Sequence, residues 1–68
     1  MNLQHVLQLE SADVHNNLGV DYTNQGKYQE AEAEFREALQ YQSDNGAAQR
    51  NLQRVLELEA AASQPKSK

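Results

Sequence analysis

The chain has 68 residues, 38% of them apolar and only 6% aromatic, with ten acidic residues against six basic ones for a net charge of −4 and no cysteine. A chain this short buries only about 60% of the surface it exposes when unfolded, while ordering its backbone costs roughly 1–2 kcal/mol per residue. Disulfides and thiolate metal sites are excluded, no basic face exists for duplex nucleic acid, and marginal stability directs suspicion to a partner.

Further exclusions follow from what is spaced where. The longest apolar run is Ala60 to Ala62, far short of the roughly 18–20 residues of a spanning helix, so no membrane partner is expected. Met1 to Leu9 lacks the basic lead and apolar core of a signal peptide, which makes a cytoplasmic location the expectation.

Taken in chain order, Leu3, Val6 and Leu7 suggest a short amphipathic N-terminal helix, ended where Ser11 caps the next one, although no proline or glycine forbids a continuous helix from Asn2 to Gln25. Between Ala12 and Gln25, Val14, Leu18 and Tyr22 recur every four residues along one helical face, and Gly26 stands where a left-handed terminator is wanted. A second helix beginning near Tyr28 carries Ala31, Phe35, Ala38, Leu39 and Tyr41 on one stripe, and ends in the turn formers Ser43, Asp44, Asn45 and Gly46. Asp44 or Asn45 can cap a third helix, from about Ala47 to Ala62, whose stripe is Leu52, Val55, Leu56 and either Leu58 or Glu59. Residues 63–68 are polar and basic, contain the single proline and read as a disordered tail; nothing alternates with period two, so strands are not expected. The segment from Asn2 to Ala12, NLQHVLQLESA, agrees at most positions with Asn51 to Ala61, NLQRVLELEAA.

The two central helices contain a longer pattern: His15-x-x-Leu18-Gly19-x-x-Tyr22, then Gly26, Tyr28, Ala31-x-x-x-Phe35 and Ala38-Leu39, with a turn at Ser43. A mid-helix glycine costs about 1 kcal/mol relative to alanine. Gly19 therefore marks a close backbone approach, for which Ala31 is the expected counterpart, with Leu18, Tyr22, Tyr28 and Phe35 filling the space around it. This pattern resembles the tetratricopeptide repeat, a 34-residue helix–turn–helix unit. On that resemblance the repeat covers residues 12–45, half of the chain, with His15 where tryptophan is usual and Ser43 where proline is usual.

The resemblance implies an all-α fold: an antiparallel helix–turn–helix, a C-terminal capping helix over residues 46–62 and a short N-terminal helix, together a fragment of an α–α superhelix within one domain of residues 1–62. It also implies binding of a protein or peptide on the concave face, carried here by Asp13, Asn16, Asn17, Val20 and Asn24 and extended by Ala47, Arg50, Asn51 and Arg54. One repeat cannot bury its own faces, so self-association as a homo-oligomer, a dimer above all, is expected through Leu3, Val6, Leu7, Leu52, Val55 and Leu56. The competing reading is an excised or designed repeat unit with no ligand of its own.

Catalysis is not expected. His5 and His15 are ten residues apart and do not share a helix face as metal ligands would, and no nucleophile or phosphate-loop motif is present, so neither metal nor cofactor is anticipated. Glu30, Glu32, Glu34 and Glu37 read as a solvated acidic face, with Glu32 and Arg36 as a four-residue ion pair.

Overall fold

The computed structural model describes residues 11–63, which form three α-helices: α1, Ala12–Asn24; α2, Tyr28–Tyr41; and α3, Gly46–Ser63. The expected N-terminal helix carrying Leu3, Val6 and Leu7 and the last residues of the expected tail lie outside the described residues. Ser63, assigned to that tail, is instead the last residue of α3, and its hydroxyl donates to the Glu59 carbonyl at 3.0 Å.

Each helix boundary has a local cause. Ser11 is extended, with φ −147° and ψ 167°, and its side-chain oxygen accepts the Val14 amide at 3.3 Å, so α1 starts here and no helix runs through Ser11. At the other end Gly26 has φ +79°; its amide donates to the Thr23 carbonyl and the Lys27 amide to the Tyr22 carbonyl, the paired closure that a left-handed residue permits. Asn45 caps α3, its side-chain oxygen accepting the Ala48 amide at 2.9 Å, while Gln49 Nε2 donates to the Ser43 carbonyl at 2.9 Å and ties the turn to the first turn of α3.

Helix α2 lies between the other two in contact terms: it packs against both α1 and α3, and α1 and α3 also touch directly. Two buried clusters result. Ala12, Ala38 and Ala48, one from each helix, meet at one end with Leu39 against them. Ala31, Phe35 and Val55 form the other, bordered by Tyr22, Tyr28 and Leu52.

Several side chains take places other than those expected. The buried line of α1 runs through Ala12 and Gly19, flanked by half-buried His15, Asn16, Tyr22 and Thr23, whereas Val14 and Leu18 are 38% and 39% exposed. A three- or four-residue spacing identifies a face without saying which neighbour covers it, and α2 and α3 both approach α1 from the Gly19 side. The counterpart of Gly19 is Phe35, not Ala31: a methyl group added at Gly19 would fall 2.6 Å from Phe35 Cδ1 and 2.7 Å from Cζ, so the glycine makes room for the ring. Tyr41, placed on the core stripe of α2, is 47% exposed and stacks on His15 with ring centroids 5.3 Å apart. Val55, expected at a self-association surface, is fully buried beside Phe35 and is removed from that role. Leu52 is half-buried at the border of the same cluster, and Leu56 alone of the three α3 residues is exposed.

A concave groove between α1 and α3

The packing of α3 across α1 leaves a groove of about 490 Å³ lined by Val20, Thr23 and Asn24 of α1, Tyr28 and Phe35 of α2, and Asn51, Arg54 and Leu58 of α3. Its geometry follows from helical periodicity. Val20, Thr23 and Asn24 share one face of α1, and Asn51, Arg54 and Leu58 recur at three and four residues along α3. Phe35 is 1% exposed, so it forms the floor rather than a wall.

Polar ties hold the walls at a fixed separation. Asn51 Nδ2 donates to Asn16 Oδ1 at 3.0 Å, bridging α3 to α1 at a part-buried position. Thr23 Oγ1 donates back to the Gly19 carbonyl at 2.7 Å, which leaves the hydroxyl of this lining residue satisfied. Across α1 and α2, His15 Nδ1 and Glu34 Oε1 are hydrogen-bonded at 2.7 Å, so the position where the repeat pattern usually has tryptophan is filled by an imidazole that stacks on Tyr41 and reaches a carboxylate.

Of the nine residues expected on the binding face, Val20, Asn24, Asn51 and Arg54 line this groove together. Asn16 stands behind the wall as the partner of Asn51, so it acts on the groove by holding α1 to α3. Asp13, Asn17 and Arg50 are exposed and do not line the groove, and the Arg50 guanidinium extends to within 3.4 Å of where a methyl at Gly46 would stand. Ala47, the remaining α3 position on the expected surface, is likewise exposed outside the groove. Thr23, Tyr28 and Leu58 line the groove without having been assigned to it. Leu58 was legible in principle, four residues beyond Arg54 on the same face, while Tyr28 enters only because α2 closes one end.

The acidic residues of α2 are only partly solvated. Glu32 accepts from Arg36 Nε at 3.0 Å and Nη2 at 2.7 Å, Glu34 meets His15, and only Glu30 and Glu37 are exposed. The Arg36 bonds first, and then a hydrogen bond from Glu59, hold the Glu32 carboxyl below the ordinary glutamate value; the same bond to Glu32, with burial next, pushes Glu59 up. The two carboxyls face each other from α2 and α3 and do not line the groove. Among the described residues no cluster of histidine and carboxylate side chains is arranged to hold a metal ion, and no helix is long and apolar enough to cross a membrane.

Comparison with curated proteins and with solved structures finds no match. A family model described as tetratricopeptide repeat matches residues 12–45, the stretch that begins at the first residue of α1, contains the Gly19–Phe35 contact and ends at the cap of α3. Repeats of this kind generally serve protein–protein interaction and are non-catalytic. With half of its length matched and its helices meeting where that pattern requires, the chain belongs to the tetratricopeptide repeat family.

Proposed function

We propose that this chain is a protein-interaction module that holds an extended peptide in the groove between α1 and α3. The observation that carries this reading is the convergence of Val20, Asn24, Asn51 and Arg54 on one groove with an apolar floor. An extended peptide exposes backbone amides and carbonyls that Asn24 and the free valences of Asn51 can bond, and Arg54, exposed and given no carboxylate partner among the described residues, suits an acidic side chain or terminal carboxylate. Leu58 and Tyr28 offer contact to an apolar side chain beside it. Selection from a displayed library of random peptides tests this directly: binders should share an acidic and an apolar residue and should be lost with Arg54→Glu and with Val20→Glu. Binders that are indifferent to both substitutions would place recognition elsewhere.

A second reading, association with another copy of the chain, is favoured by a different surface. Leu39, Leu52, Leu56 and Ala60 line a second groove of about 510 Å³ between α2 and α3, with Gln49, Gln53 and Glu57 around it. A repeat array would cover such a face with its next helix, and a dimer is the smallest assembly that covers it here. Sedimentation of the intact chain across micromolar to millimolar concentration tests this reading, which a monomer at every concentration refutes.

A further inference from the structure

The duplication of residues 2–12 in residues 51–61 acquires a physical meaning once burial along α3 is known. Within the duplicated stretch of α3, the residues that are buried or half-buried are Asn51, Leu52, Val55, Leu58 and Glu59. Their counterparts, at an offset of 49, are Asn2, Leu3, Val6, Leu9 and Glu10, and all five are identical. The three positions that differ, His5 for Arg54, Gln8 for Glu57 and Ser11 for Ala60, all correspond to exposed residues of α3.

A generic amphipathic helix would preserve the leucines and the valine. It would have no reason to preserve Asn51, which bonds Asn16 of α1, or Glu59, which is half-buried and faces Glu32 of α2. The Asn51–Asn16 bond and the place of Glu59 beside Glu32, together with the apolar contacts of Val55 and Leu52 against Ala31 and Phe35, define the seat of α3. We infer that residues 2–12 carry a second copy of the seating code, and that they take the α3 seat in trans, on another copy of this chain. The inference shares with the self-association reading above only that two copies associate; the surface it uses is the α3 seat, not the groove at Leu39 and Leu56.

Occupation in cis is excluded by register. Ala12 is the counterpart of Ala61, yet Ala12 is packed against Ala38 and Ala48. Ala48 is thirteen residues before Ala61 along α3, about 20 Å at 1.5 Å per residue. The segment cannot lie in its own chain's seat in matching register while Ala12 stays where it is.

Exchange between copies trades one set of contacts for an identical set. What it forfeits is the intramolecular advantage of α3, an effective concentration in the millimolar range for a short connection, plus the Ala48 contact and the Asn45 cap that precede the duplicated stretch. The exchange is therefore weak while α3 is intact and becomes strong when the hold of α3 is loosened.

The experiment uses the full chain carrying Val55→Asp, titrated with a synthetic peptide of residues 1–12 and followed by helical circular dichroism. The peptide should raise the helical signal saturably. A Val6→Asp peptide should bind at least about tenfold more weakly, since it buries an unpaired charge where Val55 sits, while Leu7→Asp, the counterpart of 39% exposed Leu56, should bind within about threefold of the parent. No gain in signal, equal binding by the Val6→Asp peptide, or equal damage from Leu7→Asp overturns the inference. Should Val55→Asp be too disordered to respond, isotope-labelled wild-type chain at millimolar concentration replaces it: peptide-induced shifts should centre on Ala31, Phe35 and Asn16, and shifts confined to Leu39 and Leu56 overturn the inference. An intact chain that dimerises, loses its dimer with Leu56→Asp and ignores Val6→Asp retains self-association and refutes the exchange.

Discussion

The α1–α2 interface and the α2–α3 interface share α2 and are built on different principles. Between α1 and α2 the key contact is subtractive: Gly19 has no side chain, and the Phe35 ring occupies the space where one would be. Between α2 and α3 the contact is additive, with Val55 buried against Phe35 and Ala31, Leu52 at its edge, and the Glu32 and Glu59 carboxyls facing each other. The first interface therefore has one geometry and resists every enlargement, whereas the second tolerates loss by degrees. The difference explains why the repeat motif resides in the first pair, where a single residue type satisfies the packing, while α3 carries a sequence that the chain repeats elsewhere.

Phe35→Ala breaks the comparison at its root, because Phe35 serves both interfaces. A loss of about 3–5 kcal/mol is expected, enough to abolish cooperative melting in a chain of this size. Gly19→Ala separates the interfaces: it gains about 1 kcal/mol of helix propensity but forces α1 from the Phe35 ring, for a net loss of about 1–2 kcal/mol read as a lowered melting temperature, and Gly19→Ala should be partly relieved by Phe35→Leu in a double-mutant cycle. Val55→Ala tests the additive side with a loss of about 1.5–2.5 kcal/mol, concentrated in α3, so hydrogen exchange should accelerate there while α1 retains its protection. Asn45→Ala removes only the cap of α3 and should cost about 1 kcal/mol, visible as fraying of its first turn.

The smallest effect is a pH dependence specific to the α2–α3 side. The Glu59 carboxyl lies above its ordinary value of 4.5, so its protonated form stabilises the fold; that contribution is complete below 4.5 and is lost as pH rises through the raised value. Glu32, held below 4.5 by Arg36, works in the opposite sense, and its contribution is lost only as pH falls through its lowered value. Thermal melts across the acidic range should show α3 loosening above 4.5 in the wild type, and Glu59→Gln, which keeps a donor to Glu32 and cannot ionise, should flatten that limb.

Much of this architecture was legible in the residues. Gly26 announced the end of α1, and Ser11 and Asn45 were named as caps, each beside an alternative that the structure removed, a continuous helix through Ser11 and a cap at Asp44, because capping and left-handed turns are local chemistry satisfied within a few residues of chain. The order of small and large residues from Gly19 to Ala38 announced the repeat. Four of the nine expected binding residues fell on one groove for the same reason: helical spacing alone puts Val20 beside Asn24 and Asn51 beside Arg54.

What periodicity left undetermined was always a question of which neighbour. It placed Val14 and Leu18 on an apolar face without saying that α2 and α3 would both choose the Gly19 side. It paired Gly19 with a small residue when the structure pairs it with a ring, and it counted Val55 among surface residues when that side chain is the largest that α3 fully buries. It read Glu34 as solvated, although His15 of α1 reaches it.

The sequence by itself determined three helices, their ends, the repeat and a duplicated segment, since each depends on interactions within a few turns of chain. Only the tertiary structure decided which faces are covered, and hence that every position at which the duplication varies is exposed. Burial is a property of contacts between helices, and spacing along one helix cannot supply it.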